Sequence, residues 1–220
     1  PVFLENRGGE FEHRDVGLDD TFRNPVGATT ADYDGDGCLD LFVAQYGRWY
    51  DTTPQGWNAN EVEVDNGNPN ALYAGSCGGG FERVEDAGVG PGDRGAHWSL
   101  ATSFVDLNDD GHPDIHVAND YFNDTVYYND GDGTFTRTTL GSATDRNGMS
   151  SEVTDLQGDG RPELFVTNIF FPKDRVDELR PIKRQIFLNM INNRLGKRLK
   201  GNNLLVSTGD GYADRGERWN

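Results

Sequence analysis

Short apolar runs separated by clusters of Gly, Asp and Asn fill most of this chain, and their spacing is that of strands. Leu41-Phe42-Val43 and Ile115-His116-Val117 each follow an acidic, glycine-containing stretch, and their alternating or β-branched character reads as strand. The segments ahead of the acidic stretches, Val26 to Thr30, Trp98 to Val105 and Met149 to Val153, read the same way. Thr125 to Tyr128 and Thr134 to Thr138 flank Asn129-Asp130-Gly131-Asp132-Gly133, a run built for a hairpin turn. Helical spacing occurs in one place: Ile182, Ile186, Met190 and Phe187, Ile191, Leu195 recur every four residues ahead of Gly196.

These elements repeat. Residues 31–44, 105–118 and 154–167 align without gaps, each carrying an acidic loop and the strand after it. Downstream of each comes a β-rich run, a glycine turn and an aromatic: Leu72-Tyr73 to Phe81, Val126-Tyr127-Tyr128 to Phe135, and Leu204-Leu205-Val206 to Tyr212. Val2-Phe3-Leu4 to Phe11 is that second half alone. From aromatic to the next acidic loop the distances are 21, 25 and 20 residues, whereas from loop to aromatic they are 49, 29 and 57, so insertions enter only in the latter half. Each unit is therefore four antiparallel strands A, B, C and D, with the acidic loop between A and B and the glycine turn between C and D. Four strands in a period of about 45 residues predict an all-β fold of β-propeller type, with a stacked solenoid as the alternative. About three and a half blades are expected. Residues 1–18 form the outer half of one blade, 26–86 a blade with an insertion at 46–69, 96–140 a blade, and 148–216 a blade with a helical insertion at 169–202. Arg218-Trp219-Asn220 resembles the start of another strand A, so the expectation is a piece of a longer propeller.

The acidic loop carries the chemistry. Carboxylates at positions 1, 3, 5 and 9, glycine at 6 and a backbone carbonyl at 7 make the all-oxygen shell that calcium prefers. The first loop supplies Asp32, Asp34, Asp36 and Asp40, with Cys38 at position 7. The second supplies Asp106, Asn108, Asp110 and Asp114, with His112 at position 7; the third Asp155, Gln157, Asp159 and Glu163, with Arg161. Cys38, His112 and Arg161 are expected to offer carbonyl oxygens rather than side chains. An EF-hand would need a bidentate Glu at position 12 and flanking helices, but position 12 is Val43, Val117 or Val166 inside a strand. Taken singly, an Asp-Gly turn that binds nothing is an equal alternative; three in register favour two to three calcium sites. The third is the doubtful one, because Gln157 and Glu163 depart from the pattern.

Composition narrows the function classes. The chain has 220 residues, enough for a sizeable core, with 12 Phe, 8 Tyr and 4 Trp to fill it. A net charge of −17 disfavours nucleic acid and anionic membrane as partners of the whole surface and favours cations. No apolar run approaches the roughly 20 residues of a membrane span. With no basic-then-apolar leader after Pro1, an export signal is expected to lie outside this stretch or to have been removed.

The loop Asp-x-Asp-x-Asp-Gly-x-x-Asp followed by Leu-Phe-Val, then Val-Ala-Asn119-Asp120 and Tyr-Tyr-Asn129-Asp-Gly-Asp-Gly-Thr-Phe135, resembles the FG-GAP or VCBS-type repeat of calcium-binding propellers. The nearest likeness is to cartilage-acidic-protein-like chains, with integrin α-subunit heads more distant. The resemblance covers nearly the whole chain and is weakest at 46–69 and 169–202. It implies an exported, extracellular or cell-surface propeller acting in adhesion or recognition.

Topology separates two faces. The A–B and C–D loops share one, where calcium is expected, and both insertions project from the other. Residues 46–69 carry Tyr46, Trp49, Tyr50 and Trp57, which either pack on one another or form a ligand platform. Residues 173–200 hold nine basic side chains, among them Lys183, Arg184, Arg194 and Arg198, against three acidic ones. This is either an amphipathic helix pairing with the acidic propeller or a docking site for an acidic glycan or protein. Asn123-Asp124-Thr125 is a glycosylation sequon in the B–C loop of the second full blade, expected to be exposed.

Enzyme signatures are absent: the four histidines form no His-Glu-x-x-His pair, and neither a Gly-x-Ser-x-Gly elbow nor a P-loop occurs. A propeller-fold polysaccharide lyase or hydrolase, or a purely structural segment of a surface assembly, remain the alternatives to a recognition scaffold. Cys38 and Cys77 fall on the calcium face of one blade. Strand spacing puts their loops roughly 10 Å apart, beyond the ~7 Å between Cα atoms that a disulfide spans. If the glycine-rich turn 75–80 leans in, the two form a bridge suited to an oxidising compartment.

Overall fold

The computed structural model describes residues 2–18, 22–47, 67–90, 98–120, 123–139, 148–168, 203–207 and 212–214. These are all strand, turn and loop, with no helix among them. The helix expected within 169–202 lies outside the described residues, as do Trp49, Tyr50, Trp57, Lys183, Arg184, Arg194 and Arg198.

Among the described residues, fourteen strands form four antiparallel sheets. β1 (Phe3–Arg7) and β2 (Glu10–Arg14) pair as a hairpin alone. β3 (Pro25–Ala31), β4 (Asp40–Gln45), β5 (Ala71–Gly75) and β6 (Phe81–Val84) pair in sequence order, as A, B, C and D. So do β7 (Trp98–Val105), β8 (Asp114–Asp120), β9 (Thr125–Asn129) and β10 (Phe135–Thr139). The last sheet repeats this with β11 (Gly148–Thr154), β12 (Glu163–Asn168), β13 (Asn203–Ser207) and β14 (Tyr212–Asp214). Three four-stranded sheets and one half-sheet, none of them closed on itself, are compatible with a partial β-propeller.

The B strands explain why these sheets stack. A strand exposed on one face alternates apolar with polar, but one covered on both faces is apolar throughout. In β4, Phe42 and Ala44 face the second blade and join Tyr33, Leu72, Ile115, Val117, Tyr127 and Phe135 in one core. Val43 and Leu41 face the other way, with Tyr73, Phe22 and Phe81. On β8, Ala118 packs between blades two and three, against Leu164, Val166 and Leu205. The A strands lie nearest one another: the Phe104 N–H donates to Thr29 Oγ1 at 3.3 Å, and the Ser103 and Ser151 hydroxyls lie 3.0 Å apart. Phe165, which occupies the register position of the fully buried Phe42 and His116, is 37% exposed.

Successive blades are also hooked together by backbone. The Phe81 N–H donates to Val16 O at 2.7 Å and the Phe135 N–H to Ala87 O at 2.9 Å, so the segment leaving each blade rests on the D strand of the next. The following residues, Gly17 and Gly88, have φ of +81° and +78°, and a Cβ there would stand 2.6 Å from Phe81 O and 2.5 Å from Phe135 O. Both steric crowding and the left-handed backbone therefore demand glycine.

The 46–69 insertion leaves and re-enters through a Gly47–Gly67 bridge at the end of β4 away from the acidic loop. There Tyr46 packs edge-on against Trp98, ring centroids 5.0 Å apart, and its hydroxyl donates to Asp120 Oδ2 at 2.6 Å. The sequon is less open than its sequence suggests: Asn123 is half-buried and the buried Thr125 hydroxyl accepts from Asn119 Nδ2 at 3.0 Å.

Replacing Gly88 by Ala should destabilise the chain by about 2–3 kcal/mol, since the residue meets both a backbone clash and a strained φ. Gly133→Ala, with a comparable φ of +88° but nothing within 4 Å of its Cβ, should cost markedly less. Paired denaturant melts of the two variants check this.

Candidate metal centre

The three acidic loops fold by one local rule. Each turns back on itself because short carboxylate and amide side chains accept the backbone N–H groups two to five residues ahead. Position 1 accepts from position 6 in all three: Gly37 N to Asp32 Oδ2 at 3.0 Å, Gly111 N to Asp106 Oδ2 at 2.9 Å, and Gly160 N to Asp155 Oδ2 at 2.9 Å. Position 5 accepts from position 7: Cys38 N to Asp36 at 2.7 Å, His112 N to Asp110 at 2.8 Å, and Arg161 N to Asp159 at 3.0 Å. The turn requires a left-handed residue at position 6 and a second one at position 4, a requirement not read from the sequence. Gly35 and Gly158 meet it freely, whereas Asp109 adopts φ +60° as the only non-glycine residue with positive φ among the described residues. Its carboxylate meets Arg161 Nε of the third loop at 3.0 Å, linking neighbouring blades.

Position 9 behaves differently. Asp40, Asp114 and Glu163 are essentially inaccessible, at 0%, 0% and 1% exposure. Asp40 Oδ2 accepts from Tyr33 N and Oδ1 from Gly75 N, both at 2.8 Å. Asp114 repeats this with Leu107 N and Asn129 N, again at 2.8 Å. One carboxylate thus ties the A–B loop to the end of strand C. Burial pushes the Asp114 carboxyl up to about 6; the N–H groups of Asn129 and Leu107 pull it down, and Asp110 and Asp106 add repulsion. Asp40 is raised too, again chiefly by burial. Asp155 moves the other way, lowered chiefly by the Gly160 N–H. Tyr33 is driven to about 12 by burial and by Asp34, Asp40 and Asp36 beside it.

The loops diverge in how far they satisfy themselves. In the second, Asp106 Oδ1 accepts from Asp110 N at 3.2 Å, and Asn108 Nδ2 donates to Asp110 Oδ2 at 2.8 Å. In the third, Asp155 Oδ1 accepts from Gly158 N at 2.7 Å and Asp159 N at 3.1 Å, and Gln157 Nε2 donates to Glu163 Oε1 at 2.8 Å. The first loop has carboxylates only, so no amide can donate inward. Its Asp32 Oδ1 is buried with no hydrogen-bond partner. Oxygens of Asp32, Asp34 and Asp40 lie within 4.8 Å of one another, the one group of three or more His, Cys, Asp or Glu side chains among the described residues so arranged. A set of hard oxygen donors around an orphaned carboxylate oxygen fits a hard divalent cation.

Position 7 faces the C–D turn. Cys38 and Cys77 form a disulfide, Cα–Cα 5.0 Å. The 10 Å inferred from strand spacing alone is too long, because the Asp40–Gly75 bond draws the turn onto the loop. A Cβ on Gly75 would fall 1.9 Å from Leu39 O, so only glycine permits this approach. In blade two, His112 reaches the corresponding turn, its Nε2 2.8 Å from where a Cβ on Gly131 would stand.

Residues 106–166 match the FG-GAP-like repeat. The match runs from position 1 of the second loop through blade two into β12, so one FG-GAP-like repeat spans the boundary between two sheets. No curated protein matches the chain. The repeat and the disulfide are consistent with an extracellular protein, and no helix among the described residues is long and apolar enough to cross a membrane.

Two outcomes test the role of position 9. Asp114→Ala should lose about 2–5 kcal/mol, because two buried N–H groups lose their acceptor, whereas Asp114→Asn keeps one acceptor oxygen and should lose less; thermal melts distinguish them. In cation-free protein the Asp114 carboxyl carbon should titrate near pH 6 by NMR. Since this folded value exceeds the ordinary 3.8, its contribution to stability is full below about 3.8 and is lost as pH rises through about 6.

Proposed function

We propose that this chain is a calcium-stabilised, propeller-like scaffold of an extracellular recognition or adhesion protein. The observation that carries this reading is the first loop, where three carboxylates converge and Asp32 Oδ1 is buried without a partner. Asp32, Asp34, Asp36 and Asp40, with the Cys38 carbonyl, would hold the ion there. Asp106, Asn108, Asp110 and Asp114 would hold a second, with the His112 carbonyl, and Asp155, Gln157, Asp159 and Glu163 a weaker third, with that of Arg161. Calcium supplies a compact double positive charge against the mutual repulsion of the ten carboxylates at the ligand positions. The chain's own residues preset the site: backbone N–H groups fix the loop curvature, and the position-9 carboxylate is anchored to the neighbouring strand.

The order of occupancy follows from the internal bonding. Loop one has no donor for Asp32 Oδ1, while loops two and three supply backbone and amide donors that stand in for part of a cation. Loop one therefore fills first, with affinities roughly in the 10⁻⁴ to 10⁻³ M range of extracellular modules, tighter for loop one.

Recognition belongs to the opposite face. Support comes from the stem of the 46–69 insertion, held by the Gly47–Gly67 bridge and the Tyr46–Asp120 bond at the end of β4 remote from Asp40. The partner is an acidic glycan or protein, drawn by the basic residues of 173–200. Kinship with cartilage-acidic-protein-like chains and integrin α heads rests on the repeat motif alone.

Calcium at 100 times the dissociation constant of the first-loop site should stabilise the chain by about 2.7 kcal/mol through that site, and chelation should lower Tm by roughly 5–10 °C on that account. Asp32→Asn should remove most of that difference. Scanning calorimetry with and without chelator at low salt measures both, and an unchanged Tm would discard the calcium reading.

A further inference from the structure

We infer that the Cys38–Cys77 disulfide presets the first-loop cation site, so that the redox state of this cystine governs calcium affinity there and calcium in turn protects the cystine from reduction. The inference rests on the calcium reading of loop one. Cys38 lies between Asp36 and Asp40, and its N–H donates to Asp36 Oδ1. Cys77 sits in a turn that is itself fixed: Ser76 N donates to Gly80 O at 2.8 Å, Gly79 N to Ser76 O at 2.7 Å, and Arg14 Nη2 to Gly78 O at 2.7 Å. The acidic loop is thus fastened to a rigid turn at two points, the Asp40–Gly75 hydrogen bond and the disulfide.

The comparison between blades shows what the second fastening is for. Blade two keeps the hydrogen bond, Asn129 N to Asp114 Oδ1, but at position 7 has His112 resting on Gly131 without a covalent bond. In blade three, position 7 is Arg161, paired with Asp109. The covalent clamp occurs where all four ligand positions are carboxylates, with no amide donor and an orphaned oxygen, which is where repulsion most strongly opposes convergence. Held by the disulfide, these oxygens converge at folding, and cation binding need not order them again. A dithiol reductant would deliver two electrons and two protons, break the S–S bond to give the Cys38 and Cys77 thiols, and leave as its own disulfide. The loop would then be held to the turn by Asp40 alone. Because coupling between two equilibria is reciprocal, the factor by which oxidation tightens calcium equals the factor by which calcium disfavours reduction.

Calcium calorimetry on the oxidised chain, on Asp32→Asn and on Cys38→Ser/Cys77→Ser tests this. The expected result is a tightest binding event that Asp32→Asn abolishes and the double serine variant weakens roughly five- to tenfold. An unchanged affinity in the serine variant overturns the inference and leaves the calcium reading standing; no event sensitive to Asp32→Asn overturns both. A second measurement does not depend on the serine variant folding. The unmutated chain is equilibrated in dithiothreitol redox buffers with and without calcium, and its free thiols are alkylated and counted by mass spectrometry. Calcium should displace the oxidised-to-reduced equilibrium by the same factor, and the displacement should vanish in Asp32→Asn. An equilibrium indifferent to calcium overturns the inference.

Discussion

A buried carboxylate that accepts two backbone N–H groups holds each of the first two full blades in shape. Asp40 and Asp114 reach into their own A–B loop with one oxygen and across to the end of strand C with the other. A buried N–H without an acceptor costs as much as a lost hydrogen bond or more, so four donors depend on these two side chains. The far end of the sheet uses the same device with other chemistry. Gln45 N donates to Asn70 Oδ1 at 2.9 Å and Asn119 N to Asp124 Oδ1 at 3.2 Å, so strands B and C are pinned at both ends by short polar side chains.

Everything between those pins is apolar and shared. Phe42 and Ile115 belong to different sheets but to one core, and β4 and β8 each give one face to what precedes their blade and the other to the blade that follows. A single blade cannot bury such a strand, so stacking is a condition of folding rather than a later assembly. The Val16–Phe81 and Ala87–Phe135 hydrogen bonds set the step between units, and Asn129 Nδ2 on Tyr33 O at 2.8 Å fastens one blade's C strand to its neighbour's acidic loop. The loops therefore sit on a rigid edge, where a charge placed in one is felt by the core beside it. Tyr33 lies at this junction: burial in the core raises its pKa most, and Asp34, Asp40 and Asp36 of loop one raise it further.

The acidic loops share a fold but not an electrostatic state. With amides at position 3, loops two and three donate protons inward; loop one, with Asp34 there, does not. That one difference, together with the unpartnered Asp32 Oδ1, separates two loops that satisfy more of their own oxygens from one that satisfies fewer.

The sequence by itself determined the period, the four-strand unit, the order of strands within it and the candidate ligands at positions 1, 3, 5, 7 and 9, because alternation and Asp-Gly spacing are local properties. It also marked Cys38 and Cys77 as partners, though strand spacing made the gap too wide. Only the tertiary structure decided the rest. Position 9 proved to be a pin as well as a candidate ligand because its second donor, Gly75 or Asn129, lies 35 or 15 residues away in sequence and meets it only once strand C is paired. Gly17 and Gly88 carry a visible signal in the recurring Asp15-Val16-Gly17 and Asp86-Ala87-Gly88, but its meaning appears only when the next blade's D strand lies against them. The Asp109–Arg161 pair was illegible for the same reason, since it joins two loops that each look complete when read alone. Local periodicity encodes strands and turns, whereas the contacts that give a repeated residue its particular role are made by neighbours whose position no single repeat contains.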